Sequence, residues 1–341
     1  MEILLQLFIY LIFIMIFLGG GVRKHEELLS KDECYKRLNS MRGIMALEII
    51  IGHVVRYENS ILLPLGKFML VGVAFFFFVS GWGLCKQYYE KSGYLETFLK
   101  TRVVYVCGCI IITLVITSII DFISPIDTRY SIHSLEGAEL ILQLINSINW
   151  YMRELLLLYL VFYLVFKLVK KYRIVILTMI VVIIACTLHA LGYIRCWYAS
   201  IMAFPLGFVF YLYFSRIIAV LKSFKGVLIV CGLGLLGLSS LVIEENLFIP
   251  IFVANNSLSI CVIILLCLFS LVFSVENRAK VFLNKYATEL YLYQFPFLVI
   301  AESANWNYWY KMIFVVASDV IISMLVHPVI IRLKYFCNSK R

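Results

Sequence analysis

The sequence predicts an all-α polytopic membrane protein: a transmembrane helical bundle of about 11 spans, built as a ten-helix core plus one extra N-terminal helix. Three observations carry that prediction. The 341 residues are 63% hydrophobic and only 15% charged, where soluble domains carry about 25% charged residues; the mean hydropathy is +0.97. Apolar residues gather into runs of roughly 16–22, the length a bilayer core requires. The basic residues sit in short clusters between those runs, the signature of loops obeying the positive-inside rule. The formal net charge of +10 is therefore a topology signal. The surface implied is a lipid bilayer, and no nucleic-acid partner is expected.

In chain order, residues 3–18 form an apolar run that ends in glycines 19–21. A signal peptide would carry a basic region ahead of its apolar core. Here the early charge is Glu2, and Arg23 and Lys24 follow the run. This reads as a retained span with its N-terminus outside. Further spans are predicted at 43–58, 68–85, 102–123, 149–169, 173–191, 197–214, 225–243, 256–274, 286–303 and 310–331. Residues 1–22 are then an extra helix, 30–335 one membrane domain, and 336–341 a cytoplasmic tail.

Loop charges test the threading. Alternating the spans places loops 19–42, 86–101, 170–173, 215–225, 275–285 and the tail 332–341 on one side. Those loops and their borders hold 24 of the 30 basic residues. The other side keeps Arg56, Lys67, Arg129, Arg153, Arg195 and Lys311. One span more or fewer would scramble this segregation, so the basic side is cytoplasmic. The expected location is the cell (plasma) membrane, with the C-terminus cytoplasmic. The longest outer loop is about 124–148. The ten cysteines show no CxxC or Cys/His ligand spacing; they read as small core residues, and no metal is expected.

Ionisable residues inside apolar runs are functional candidates because they are costly there. The first core segment carries Arg42, Glu48 and His53. With Arg42 at the cytoplasmic mouth, His53 lies eleven residues on, roughly 16 Å deep. A histidine at that depth can move protons near neutral pH. Glu48 lies about 140° around the helix from His53, so the two need not face one cavity. Trp150, Arg153 and Glu154 open a helix at the outer face. Glu289 and Asp319 lie one to two turns inside their spans, where either would neutralise a buried arginine. His189 and His327 fall near helix ends and read as satisfied interfacial histidines.

Residues 37–43 (RLNSMRG), a His eleven residues after the second Arg, and FFFVSG at 76–81 together resemble the integral-membrane acyltransferase-3 family. The resemblance continues at 149–159 (NWYMRELLLLY), at Trp197 and Pro205 to Gly207, and at 287–296 (ATELYLYQFP). It spans about 30–335, in order. Asn39 stands where the family often has Asp, and Gln294 where a His is common. Of the Arg-x-x-Arg after the second core helix only Lys100 and Arg102 have a counterpart here, the second Arg being missing or displaced.

The resemblance implies transfer of an acyl group, usually acetyl from acetyl-CoA, onto a hydroxyl of a cell-envelope glycan or its lipid-linked precursor. Arg42 and His53 match the family's motif and become the catalytic candidates. Such chemistry needs a base for the hydroxyl proton and donors for a developing oxyanion; His53 is the expected base. Arg42, Arg102 and Lys100 are candidates for the CoA phosphates. Glu48, Ser80, Trp150 and Arg153 are candidates for acceptor binding. The rival reading is an exporter of polysaccharide or lipid-linked sugar, for which internal pseudo-repeats and broken helices would be the signature. Neither is visible.

Overall fold

The structure, a computed structural model, describes residues 22–24, 29–55, 63–123, 150–241, 247–275, 277–304 and 306–338. The predicted first span at 3–18 and the outer loop at about 124–148 lie outside the described residues. The helices are α1 (Lys31–Asn39), α2 (Arg42–Val55), α3 (Leu63–Glu90), α4 (Tyr94–Phe98) and α5 (Tyr105–Ile123), the last two joined by a π-helical turn over Leu99–Val104. They continue as α6 (Trp150–Leu168), α7 (Arg173–Ala190), α8 (Ala203–Leu221), α9 (Phe224–Leu238) and α10 (Phe248–Val272). The last are α11 (Arg278–Lys285), α12 (Ala287–Ser303) and α13 (Tyr308–Asn338). A short antiparallel pair joins β1 (Val22–Lys24) to β2 (Phe273–Val275).

Each of the ten segments predicted after the first falls on a helix. Seven helical stretches among the described residues are long and apolar enough to cross a membrane. α6 carries Arg153, Glu154 and Lys167, and α9 and α12 run only 15 and 17 residues. The last helix extends seven residues past the predicted end at 331, to Asn338. That extension moves His327 from a helix end into a helix interior.

α1 starts on a capping box. Glu33 N–H donates to Ser30 Oγ at 3.3 Å and Ser30 N–H donates to Glu33 Oε2 at 3.2 Å, which satisfies two backbone donors at the helix start. At its other end the Arg37 guanidinium donates to the carbonyls of Ser270 (3.0 Å) and Phe273 (3.2 Å), closing the free end of α10. A cation there also suits the negative end of the α10 dipole.

The centre of the bundle is the crossing of α3 with α2 on one side and α8 on the other. Gly207 of α8 sits so close to α3 that a Cβ there would run into Phe78 O and Trp82 N. Trp82, fully buried, fills the space beside this crossing with Phe78, Phe210 and Phe214, at ring separations of 5.3–6.1 Å. Small residues permit the approach, and aromatics supply the packing that stabilises it.

Contacts between α1–α2 and α3 define an antiparallel register that decides where the charges lie. Lys86 Nζ meets Asp32 Oδ1 at 2.6 Å, the Tyr35 hydroxyl covers Gly83, and Glu48 Oε2 covers Gly72. By interpolation Arg42 falls opposite residues 76–78 of α3, roughly 15 Å along the axis from Gln87. The expectation that Arg42 marks the mouth is thereby revised. α1 continues the line of α2 outward, so Arg42 lies well inside the bundle.

Candidate functional site

A cavity of about 330 Å³ opens inside this bundle, lined by side chains from α2, α3, α5, α6, α12 and α13, with the α4 and π-turn segment and Lys285 completing it. Gln87, Lys91, Thr97, Lys334 and Asn338, all at helix ends, form one extremity. Phe76, Tyr151 and Tyr291 form the other, with ring separations of 6.0 Å (Phe76–Tyr151), 5.7 Å (Phe76–Tyr291) and 4.9 Å (Tyr151–Tyr291). Gln87 and Phe76 are eleven residues apart on α3, so the cavity runs roughly 16 Å along the bundle axis.

The charge on its wall is one-sided. Arg42, Lys91, Arg102, Lys285 and Lys334 line it, against a single carboxylate, Glu289. Among the described residues none of these five cations has an ion-pair partner. They are stepped in depth: Lys91 and Lys334 at helix ends, Arg102 further in, then Arg42 and Lys285. The last two share a level because Gly43 abuts the backbone of Leu283 and Asn284. Lys91, Lys285 and Lys334 are exposed, while Arg42 and Arg102 are half-buried, and it is for these two that the lack of a counter-ion is costly.

Arg102 owes its position to the π-helical turn at Leu99–Val104. The Thr101 hydroxyl donates to Thr97 O at 2.9 Å within the same segment. A π turn accommodates one extra residue and rotates the following side chains, a distortion found mostly at functional sites. Here it presents Arg102 to the cavity among the phenols of Tyr94, Tyr159 and Tyr35. Lys100, in the same turn, is not part of the cavity wall and lies near Cys337.

The other predicted site residues divide as follows. Ser80 joins Arg42 and Arg102 in the cavity. The Glu48 carboxylate is buried against Gly72 and has no hydrogen-bond partner among the described residues. His53 does not line the cavity. It continues along α2 past the cavity's inner end to meet the Phe295 ring edge-on at 5.5 Å. Arg42 and His53 are eleven residues apart and so share a helix face within about 20°, but they stand at different levels. Trp150 and Arg153 turn away from the cavity. The Arg153 guanidinium lies 4.5 Å over the Trp197 ring, and Trp150 is 6.1 Å from the same ring. Tyr151, between them, does enter the cavity wall.

One pair of ionisable side chains on the cavity wall was not legible as a pair. His327 Nδ1 lies 2.6 Å from Glu289 Oε1, so the partner of Glu289 is a histidine and not an arginine. His327 faces the cavity and is no interfacial histidine. His189 does behave as expected, stacked on Phe248 at 4.2 Å and 3.4 Å from the Tyr198 hydroxyl. Asp319, fully buried in α13, has no partner among the described residues. Among those residues no cluster of three or more His, Cys, Asp or Glu side chains is placed to hold a metal ion, and all ten cysteines are free.

An apolar bundle surrounding a deep, cation-lined cavity defines a membrane protein with an internal site. A family model described as an acyltransferase domain matches residues 35–329, and the chain belongs to this acyltransferase-3 family. It is a membrane acyltransferase. No curated protein and no solved structure matches the chain.

Proposed function

We propose that this protein is an O-acetyltransferase of the plasma membrane. It takes an acetyl group from acetyl-CoA on the cytoplasmic side and transfers it to a hydroxyl of a cell-surface polysaccharide or its lipid-linked precursor. The observation that carries the reading is the row of five cations without carboxylate partners along the cavity. CoA is an elongated ligand with several phosphates at one end and a thioester at the other. Lys91 and Lys334 at the open end, and Arg102 behind them, suit the phosphates as charge-assisted donors. The aromatic inner end suits the acyl chain and the reacting carbon.

The basic residues at that end belong to segments on the side the positive-inside rule makes cytoplasmic, which is where acyl-CoA is available. In this reading the acceptor approaches from the opposite face, past Trp150, Arg153 and Trp197, an aromatic and cationic surface of a kind that stacks on sugar rings. His53, beyond the inner end of the cavity, takes the acceptor hydroxyl proton. Arg42 faces the developing oxyanion at the acyl carbonyl. The expectation of CoA binding through Arg102 is retained in the proposal, and that through Lys100 is replaced by Lys91 and Lys334.

The test uses the full-length protein in lipid nanodiscs. CoA raises its apparent melting temperature, acetyl-CoA is consumed, and surface glycan from cells expressing it gains one acetyl mass per acylated site over cells lacking it. Absence of both CoA stabilisation and a mass difference would overturn acetyl-CoA as the donor and surface glycan as the acceptor.

A further inference from the structure

We infer that His327, oriented by Glu289, is a second proton-transfer group of this enzyme and protonates the sulfur of the departing thiol. The inference rests on the reading that the donor is an acyl thioester held in the cavity.

The geometry is that of a base and its orienting carboxylate. A carboxylate only accepts, so at 2.6 Å the Nδ1 of His327 carries the proton donated to Glu289 Oε1. Nε2 is thereby left for a ligand, and His327 has no other hydrogen-bond partner among the described residues. Glu289 is 3% exposed and His327 15%, so the pair is withdrawn from bulk water yet reaches the cavity. Tyr286 holds the imidazole edge-on at 4.8 Å, while Tyr105 and Cys109 face Glu289 from α5.

Depth separates this imidazole from His53. Within α12 Glu289 is six residues short of Phe295, the contact of His53, roughly 9 Å. The two histidines therefore bracket the inner end of the cavity, one on the donor side and one beyond it. In the tetrahedral intermediate the attacking oxygen and the departing sulfur are separate substituents of one carbon, and two proton-transfer groups at two levels let each atom have its own.

The step balances as follows. The acceptor oxygen bonds to the carbonyl carbon and its proton passes to His53. The carbon–sulfur bond breaks, its electron pair goes to sulfur, and sulfur takes the Nε2 proton of the imidazolium form of His327. The products are an ester and CoA thiol; His53 releases its proton and His327 regains one from cavity water. In open water a thiolate departs unaided, because a free thiol has a pKa near ~8.5. Beside Phe76, Tyr151 and Tyr291 a bare thiolate is disfavoured by desolvation, so a proton donor at sulfur matters.

The experiment compares two donors in nanodiscs, acetyl-CoA and the acetyl thioester of 4-nitrothiophenol, whose acidic thiol needs no proton to leave. The rate measured is transfer to glycan or, as the minimal acceptor, to water. The aryl donor lacks the phosphates that the cations hold, so each variant is compared with wild type on the same donor, at saturation or as kcat/KM. His327→Ala should lose roughly 100-fold or more with acetyl-CoA, the scale of general acid catalysis, but less than about 5-fold with the aryl donor. His327→Gln, which keeps a polar group against Glu289, should behave alike. Glu289→Gln, which removes the orienting carboxylate, should show the same donor selectivity as His327→Ala. Equal losses on both donors, or no loss on either, would overturn the inference while leaving the acyltransferase reading intact. A wild-type protein inactive with every thioester would sink both.

Discussion

Neutralising Arg102 should weaken ligand binding without weakening the fold, and the structure shows why the two come apart. The guanidinium is enclosed by Tyr94, Tyr159 and Tyr35, and no carboxylate pairs with it among the described residues. Arg102→Gln therefore strands no buried counter-charge, and it removes the cost of holding a cation in an apolar bundle. The apparent melting temperature should stay level or rise. Against a phosphate the same side chain supplies charge-assisted hydrogen bonds worth about 1.5–3 kcal/mol, so CoA should bind roughly 10–150-fold more weakly. Lys91, exposed at a helix end, offers a useful contrast. Its Gln variant should lose less than about 1 kcal/mol, and less still at high salt. Titration calorimetry with CoA in nanodiscs, paired with a thermal melt of each variant, measures both quantities. An Arg102→Gln protein that melts several degrees lower yet binds CoA normally would refute the reasoning and make Arg102 a structural residue.

Other expectations follow from the same geometry. His53→Ala should keep full CoA-induced stabilisation, because His53 stands outside the cavity wall, while glycan acylation falls by at least about 100-fold; loss of CoA binding would contradict this placement. Gly207→Leu should force α8 off α3 and cost about 1–3 kcal/mol or more, seen as a lower apparent melting temperature or loss of monodisperse protein. Trp82→Ala should cost about 3–5 kcal/mol through the void left among Phe78, Phe210 and Phe214. Asp32→Ala, which breaks the ion pair with Lys86 at a half-exposed site, should change stability by no more than about 1 kcal/mol, and a larger drop in the thermal melt would count against the register argued from that contact.

Membrane character, helix order and the clustering of basic residues were legible in the sequence because each is a local property. A run of apolar residues long enough for a bilayer has no other stable outcome, since backbone groups in lipid must bond within their own helix. The ordered motifs from residue 37 to 296 likewise pointed to the family without any geometry. Which basic residues matter was not legible. Lys91, Lys285 and Lys334 look in sequence like ordinary loop charge, and only the meeting of their helix ends around one cavity separates them from Lys100. Arg42 was misplaced in depth because the polar composition of α1 suggests a surface segment. In the bundle it packs along α3, where Asp32, Tyr35 and Glu48 set the register.

The pairing of His327 with Glu289 joins residues 38 positions apart on two helices. No spacing rule within one helix reports such a contact, and the seven unforeseen residues at the end of α13 hid the depth of His327. The sequence alone determined that this chain is a helical membrane acyltransferase with ionisable residues inside its spans. Tertiary structure decided which of those residues meet, at what depth, and that His53 and the cavity lie at different levels. Side chains on separate helices are brought together by packing at glycine crossings and by interhelical contacts, and neither is written in local composition.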